Sequence, residues 1–122
     1  MARVLIIDDS SFQRRILSSL LEGSGHTILS AVNGREGLYT AVRQKPDLII
    51  TDLLMPDLDG FAFLREAKTA GVTIPVLILT SDIQTATKNK CLALGAAGVM
   101  NKPVKKESLS EMVQQVLCTG KE

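Results

Sequence analysis

Ile49-Ile50-Thr51-Asp52-Leu53-Leu54-Met55-Pro56-Asp57-Leu58-Asp59-Gly60-Phe61 is the stretch on which the reading of this chain turns. An apolar run from Leu48 to Ile50 ends in a single carboxylate, Asp52, and a turn carrying Met55-Pro56 and Asp59-Gly60 follows at once. A run this apolar reads as a strand buried on both faces, which is typical of parallel sheets. In open α/β sheets ligands bind just outside the carboxyl ends of such strands, so Asp52 stands where chemistry is usually found. Taken alone, an Asp at a strand end is more simply read as the start of a turn. The rest of the chain changes that weighing.

Toward the N-terminus, Arg3 to Ile7 is a second continuous apolar strand, ending in Asp8-Asp9. Ser10 or Ser11 can cap the following helix, because a side-chain oxygen there accepts an orphan N–H. Phe12, Ile16, Leu17, Leu20 and Leu21 recur at helical spacing and predict a first helix to about Glu22, ended by Gly23. Thr27 to Val32 is a short strand and Asn33-Gly34 a turn signal. Leu38, Ala41 and Val42 predict the apolar side of a second helix, and Pro46-Asp47 opens the strand that ends at Asp52.

Toward the C-terminus, Phe61, Leu64 and Ala67 mark a third helix stopped by Gly71. Val76 to Leu79 is a third wholly apolar strand, ending in Thr80-Ser81-Asp82. A fourth helix, about Thr85 to Leu94, has a weak apolar face and a start of low helical propensity, and Gly95 ends it. Ala97 to Met100 is the last strand, before Lys102-Pro103. Leu109, Met112, Val113, Val116 and Leu117 predict a well-marked final helix, and the last few residues are expected to fray.

Strand and helix thus alternate five times with short connections. That pattern implies an α/β fold, a doubly wound parallel sheet with right-handed crossovers and helices on both faces. Apolar density puts the strands near Val4, Leu48 and Val76 in the centre and the one at Thr27 at an edge. The arrangement predicted is flavodoxin-like: five strands in the order 2-1-3-4-5 with five helices, one domain over residues 1–122.

At 122 residues, with 45% hydrophobic and 22% charged residues, the composition is that of an ordinary globular domain. Aromatics make up 3% and the net charge is +1, which argues against base stacking and against binding nucleic acid by bulk electrostatics. The first apolar run is too short for a signal peptide, and no segment has the length to span a membrane, so a cytoplasmic location without membrane contact is expected. Cys91 and Cys118 have neither CxxC spacing nor a histidine cluster beside them and are read as small buried apolar residues.

Every strand of a parallel sheet has its carboxyl end on the same edge. Asp8-Asp9, Asp52, Thr80 and Lys102 fall at such ends from four different strands. Three carboxylates brought together repel unless a cation neutralises them, and an all-oxygen set points to Mg²⁺. A lysine and a hydroxyl beside that cluster suit an anion. A phosphoryl group can bridge the cation and Lys102, and a carboxylate nucleophile leads to an aspartyl-phosphate. Each residue has an ordinary structural explanation, as a helix cap, a strand end or a solvated charge. That all four meet at one edge by chance is much harder to accept.

These motifs resemble the receiver domain of two-component response regulators, and the length resembles its CheY-like single-domain members. The resemblance runs from Val4 to about Leu117, on Ile-Ile-Asp-Asp-Ser, Thr-Asp-Leu-Leu-Met-Pro-Asp-Leu-Asp-Gly, Leu-Thr-Ser and Asn-Lys-Pro in that order. It implies that Asp52 is the phosphoacceptor, that Asp9 binds Mg²⁺ directly and Asp8 through water, and that an Asp52 oxygen and the Leu54 backbone carbonyl complete the protein's ligands. Thr80 and Lys102 would contact the phosphoryl oxygens, the Lys102–Pro103 bond would be cis, and Gly60 would serve the turn after the acceptor strand. The donor would be a histidine kinase or phosphotransfer protein. A downstream protein would read the face of the fourth helix, last strand and fifth helix, with the chain a monomer or a phosphorylation-dependent dimer. Between Ile83 and Lys106 there are five lysines and no acidic residue, which fits a solvated face and an acidic partner about equally.

The chain departs from the family where an aromatic or histidine usually stands three residues before the lysine, because Val99 is there. Coupling is then expected to pass from Thr80 straight to residues 81–84 and the fourth helix. Leu54 and Asp82 occupy two positions that tune phosphoryl lifetime in the family. An apolar Leu54 cannot orient a water, so slow self-hydrolysis is expected. The chain is read as a switch whose only catalysis is its own phosphorylation and dephosphorylation. Two alternatives remain: a Mg²⁺-dependent phosphohydrolase of the haloacid-dehalogenase type, and a receiver fragment of a DNA-binding regulator. The former wants a second Asp two residues after its nucleophile, where Leu54 stands.

Overall fold

The computed structural model describes residues 2–119, and the expected fraying at the extreme C-terminus lies outside them. The elements alternate as read: β1 (Arg3–Ile7), α1 (Ser11–Glu22), β2 (Thr27–Ala31), α2 (Gly34–Gln44), β3 (Leu48–Asp52), α3 (Gly60–Thr69), β4 (Val76–Thr80), α4 (Thr85–Ala93), β5 (Gly98–Asn101) and α5 (Lys106–Thr119). All strands are parallel, in the order β2-β1-β3-β4-β5. The three densest apolar runs, β1, β3 and β4, occupy the centre, and both faces of each are buried.

Side-chain alternation along the strands divides the core into two layers. Leu5, Ile7, Ile49, Val76 and Ile78 pack under α2, α3 and α4, with Phe63, Leu64, Ala41 and Cys91. Val4, Ile6, Leu48, Ile50, Leu77, Leu79 and Met100 pack under α1 and α5, with Leu17, Leu21, Leu109, Val113 and Val116.

The helical faces need correction. Phe12 and Ile16, expected to face the core, are 69% and 39% exposed, and α1 buries only Leu17 and Leu21 completely. On α2, Val42 is exposed and the fully buried residues are Gly34, Gly37 and Ala41, since a Cβ at Gly37 would run into the Ile7 side chain. A helix pressed through glycines onto β1 at Gly37 and onto the Leu58 loop at Gly34 carries almost no apolar signature there. Asn33-Gly34 is no free turn: the Asn33 side chain caps α2 by accepting the Glu36 N–H at 2.8 Å. Ser10, rather than Ser11, caps α1 by accepting from Gln13 N at 3.2 Å. Gly23 holds the C-cap of α1 in right-handed backbone, and the left-handed residue is Gly25, at φ 90°. Cys91 is buried as expected, whereas Cys118 is exposed. Phe63, absent from the expected core, is fully buried.

Two features bear on the carboxyl edge. Pairing aligns Ile7 with Thr51, Asp52 with Leu79, and Thr80 with Asn101, so the chain leaves four strands at nearly the same height. After β3 the chain doubles back: Gly60 N–H donates to Leu53 O at 2.7 Å, and a Cβ on Gly60 would sit 3.0 Å from Leu53 Cα. Gly60 is needed for that close approach. The weakest element is α4, where Cys91 is the single buried residue and the N-cap, Gln84, makes no side-chain capping bond.

Candidate functional site

Asp8 follows β1 directly and is 2% exposed. Its N–H donates to Ala31 O on β2 at 3.1 Å, and Oδ1 accepts the Ser10 N–H at 2.9 Å. Oδ2 is buried and has no hydrogen-bond partner among the described residues. Burial, chiefly, pushes the Asp8 carboxyl above its ordinary range; the Ser10 N–H and Lys102 oppose this, while the charges of Asp52 and Asp9 add to it. Arg14, which the sequence reading did not single out, donates to the Asp8 backbone carbonyl and anchors this corner from α1.

Asp52 ends β3, on the sheet face of Leu48 and Ile50. Its Oδ1 accepts the Leu53 N–H at 3.1 Å and pairs with Lys102 Nζ at 2.9 Å. Carboxylate oxygens of Asp8, Asp9 and Asp52 lie within 4.8 Å of one another, close enough to ligate one ion. An unpartnered buried oxygen in an all-carboxylate cluster is what a hard divalent cation would satisfy. The residues therefore fit a metal. Leu54 follows at the turn with its side chain 76% exposed, and its carbonyl accepts no hydrogen bond from the described residues.

Thr80 ends β4, 2% exposed, and its Oγ1 accepts the Asp82 N–H at 3.0 Å. The structure thus gathers Asp8, Asp9, Asp52, Thr80 and Lys102 at one edge, with Leu54 on its rim. The Lys102–Pro103 bond is cis, as the resemblance implied. Two further participants escaped the sequence reading. Asn101 Nδ2 donates to Thr80 O at 3.4 Å and Asp82 O at 3.1 Å, and the Thr87 hydroxyl donates to Asp82 Oδ2 at 2.6 Å. The Thr87 hydroxyl first, then the Gln84 N–H, holds the exposed Asp82 carboxyl below its ordinary range. The only signal for Asn101 was its place beside Lys102 at a strand end.

Comparison with known proteins agrees with this geometry. The sequence profile of the response regulator receiver domain matches residues 4–114, and the chain belongs to that family. It is 39% identical over 120 residues to Protein PilH of Pseudomonas aeruginosa, covering 97% of this chain and 99% of PilH. It is 32% identical to the alkaline phosphatase synthesis transcriptional regulatory protein PhoP of Bacillus subtilis, covering 94% of this chain but 48% of PhoP. With a protein-glutamate methylesterase of Treponema denticola it shares 39% identity over 87% of this chain and 30% of the esterase. The chain therefore spans half or less of those two larger relatives. Among solved structures, Vibrio cholerae chemotaxis protein CheY4 superposes with a TM-score of 0.89 at 35% identity, covering 95% of this chain and 98% of CheY4. A receiver domain from Clostridium thermocellum gives 0.92 at 32% identity, covering 99% and 98%.

The chain is thus a receiver domain of two-component signalling, with a flavodoxin-like sheet. Family membership implies a histidine kinase or phosphotransfer protein upstream. Among the described residues, no helix is long and apolar enough to cross a membrane.

Proposed function

We propose that Asp52 accepts a phosphoryl group from a phosphohistidine donor and that the modification switches which protein the chain binds. The observation that carries this reading is the Lys102 Nζ–Asp52 Oδ1 pair at 2.9 Å beside the three-carboxylate cluster. Asp52 Oδ2 is the oxygen left for attack on phosphorus. As that P–O bond forms, the P–N bond to the donor imidazole breaks and its electron pair stays on nitrogen. Lys102, freed from the carboxylate charge as the acyl phosphate forms, turns its ammonium to the phosphoryl oxygens, and the Thr80 hydroxyl donates to another. Asp8, Asp9, Asp52 and the Leu54 carbonyl would hold Mg²⁺, which when bound supplies positive charge to the transferring oxygens. Leu54 argues against the phosphohydrolase alternative, because an apolar side chain there cannot protonate a leaving group.

The partner that reads the modification is proposed to dock on α4, β5 and α5, in the cytoplasm. Exposed Lys88, Lys105 and Lys106 suit an acidic surface there. Lys90 contributes less than its sequence position suggested, because its ammonium lies 4.2 Å from the Phe61 ring centroid. A dimer through the same face is the variant of this reading in which the partner is a second copy.

Intact mass after incubation with acetyl phosphate and Mg²⁺ tests the acceptor. A phosphoryl adduct on the wild type and none on Asp52→Asn is expected, and prior chelation of the metal should abolish it. No adduct on the wild type, or an equal adduct on the variant, overturns the assignment.

A further inference from the structure

The loop between β4 and α4 is held by side chains that phosphoryl transfer does not use. The Thr80 oxygen is engaged within its own loop by the Asp82 N–H. Asp82 in turn grips the start of α4: Oδ1 accepts the Gln84 N–H at 2.9 Å and Oδ2 the Thr87 hydroxyl at 2.6 Å. From β5, the Asn101 amide reaches across to the carbonyls of Thr80 and Asp82, at 3.4 and 3.1 Å. Thr80 and Asn101 share a strand face with Ile78 on β4 and Val99 on β5, which belong to the layer under α4. Asp52 instead shares the face of Ile50, in the layer under α1 and α5. The Thr80 loop therefore lies between the carboxylate cluster and α4. Beyond these bonds α4 is fixed by its one buried residue, Cys91, and by Lys90 over the Phe61 ring.

We propose that Asn101, Asp82 and Thr87 form a polar latch that holds Thr80 and the β4–α4 loop in the unmodified arrangement and thereby sets how readily the protein switches. The proposal rests on the reading of Asp52 as phosphoacceptor. When the Thr80 hydroxyl turns to a phosphoryl oxygen, the Asp82 N–H loses its acceptor and the loop is freed to move. Movement of Asp82 breaks its bond to Thr87 and draws its carbonyl off Asn101, while the Thr80 carbonyl stays tied to β5 by the Lys102 N–H at 2.9 Å. The bonds to Asp82 from Thr87 and Asn101 therefore count toward the unmodified state. The side-chain bonds of Asn101 and Thr87 go to Thr80 and Asp82 and not to the Asp52 or Lys102 side chains, so they are positioning residues. A single hydrogen bond of ordinary net strength shifts such a two-state balance by about five-fold.

The test titrates the full chain with beryllofluoride, a phosphoryl mimic, in the presence of Mg²⁺, with amide NMR of residues 81–95 as the readout. Wild type, Asn101→Ala, Thr87→Val and Thr87→Ser are compared; Asn101 is exposed and Thr87→Val is nearly isosteric, so all should fold. Before any mimic is added, the amides of Asn101→Ala and Thr87→Val should already lie displaced toward the saturated wild-type positions. Their half-saturating beryllofluoride should fall about five-fold, while Thr87→Ser, which keeps the hydroxyl, stays with the wild type. A purely structural role would lower the melting temperature without moving amides along that line. Variants whose free spectra and half-saturation match the wild type remove the latch and leave the phosphoacceptor reading intact. A wild type that shows no saturable response removes both.

Discussion

Lys102 Nζ lies 2.9 Å from Asp52 Oδ1, so one ammonium from β5's end sits against a cluster of three carboxylates gathered from β1 and β3. The pair is largely shielded, with side-chain exposures of 22% and 13%. Lysine thus does two opposed things: it offsets carboxylate repulsion, and it competes with a cation for the same charge.

Removing Lys102 separates those effects. Lys102→Ala should slow phosphorylation by acetyl phosphate by about 100-fold or more, the scale for loss of one charge-stabilising donor. The same change should tighten Mg²⁺ binding several-fold, because a competing positive charge is gone. Mass spectrometry follows the first and a Mg²⁺ titration of amide shifts the second. Weaker metal binding in the variant would show that Lys102 supports the ligand geometry instead.

Asp8 carries a buried oxygen without a partner among the described residues, and burial disfavours its charge. Asp8→Asn replaces that charge with a neutral amide of the same shape. In chelator-treated protein the variant should melt a few degrees higher than the wild type. In excess Mg²⁺ the order should reverse, since the metal stabilises only the chain that binds it well. Calorimetry in the two buffers reads both signs, and an unchanged order would count against a cation at this corner.

Leu54 stands at the rim with an exposed apolar side chain that cannot position a water for attack on an aspartyl-phosphate. The phosphorylated protein should persist well beyond seconds, and Leu54→Asn should shorten its lifetime several-fold. Decay of the adduct by mass spectrometry after rapid removal of donor measures this. A wild-type half-life of seconds would refute it.

His26 ties β2 to the start of the chain, its Nδ1 accepting the Ala2 N–H at 3.2 Å. Burial holds its pKa below the ordinary 6.5, so the unfolded chain binds this proton more readily than the folded one. Its contribution to stability is therefore complete above pH 6.5 and is lost as pH falls through that value toward the lower folded pKa. Urea melts between pH 7.5 and about 5 should show this loss, and His26→Gln should flatten the slope over that interval. A wild-type slope equal to the variant's would dismiss His26 as the titrating group.

The polar face of the switch shows where reading from sequence stops. Val99 directed attention to the Thr80 loop, and the loop proves to be tied by Asn101, two residues further along the same strand face. Asn101 lies 21 residues from Thr80 in the chain, and no periodicity connects them. Only the β4–β5 register, which pairs Thr80 with Asn101, brings the amide to those carbonyls.

The apolar runs ending at Asp8, Asp52 and Thr80, and the strand leading to Lys102, determined by themselves that this chain forms a parallel sheet with those residues on one edge. Strands buried on both faces leave a continuous hydrophobic signature, and parallel strands share the direction of their ends. Tertiary structure alone decided the finer matters: which oxygen Lys102 takes, that Asp8 Oδ2 is left without a donor, and that Phe12 and Ile16 face outward while Gly34 and Gly37 face in. The physical reason is that helical spacing marks an apolar stripe without showing where the sheet will lie against it. Hydrogen bonds between residues distant in the chain, likewise, exist only once strand register has set their separation.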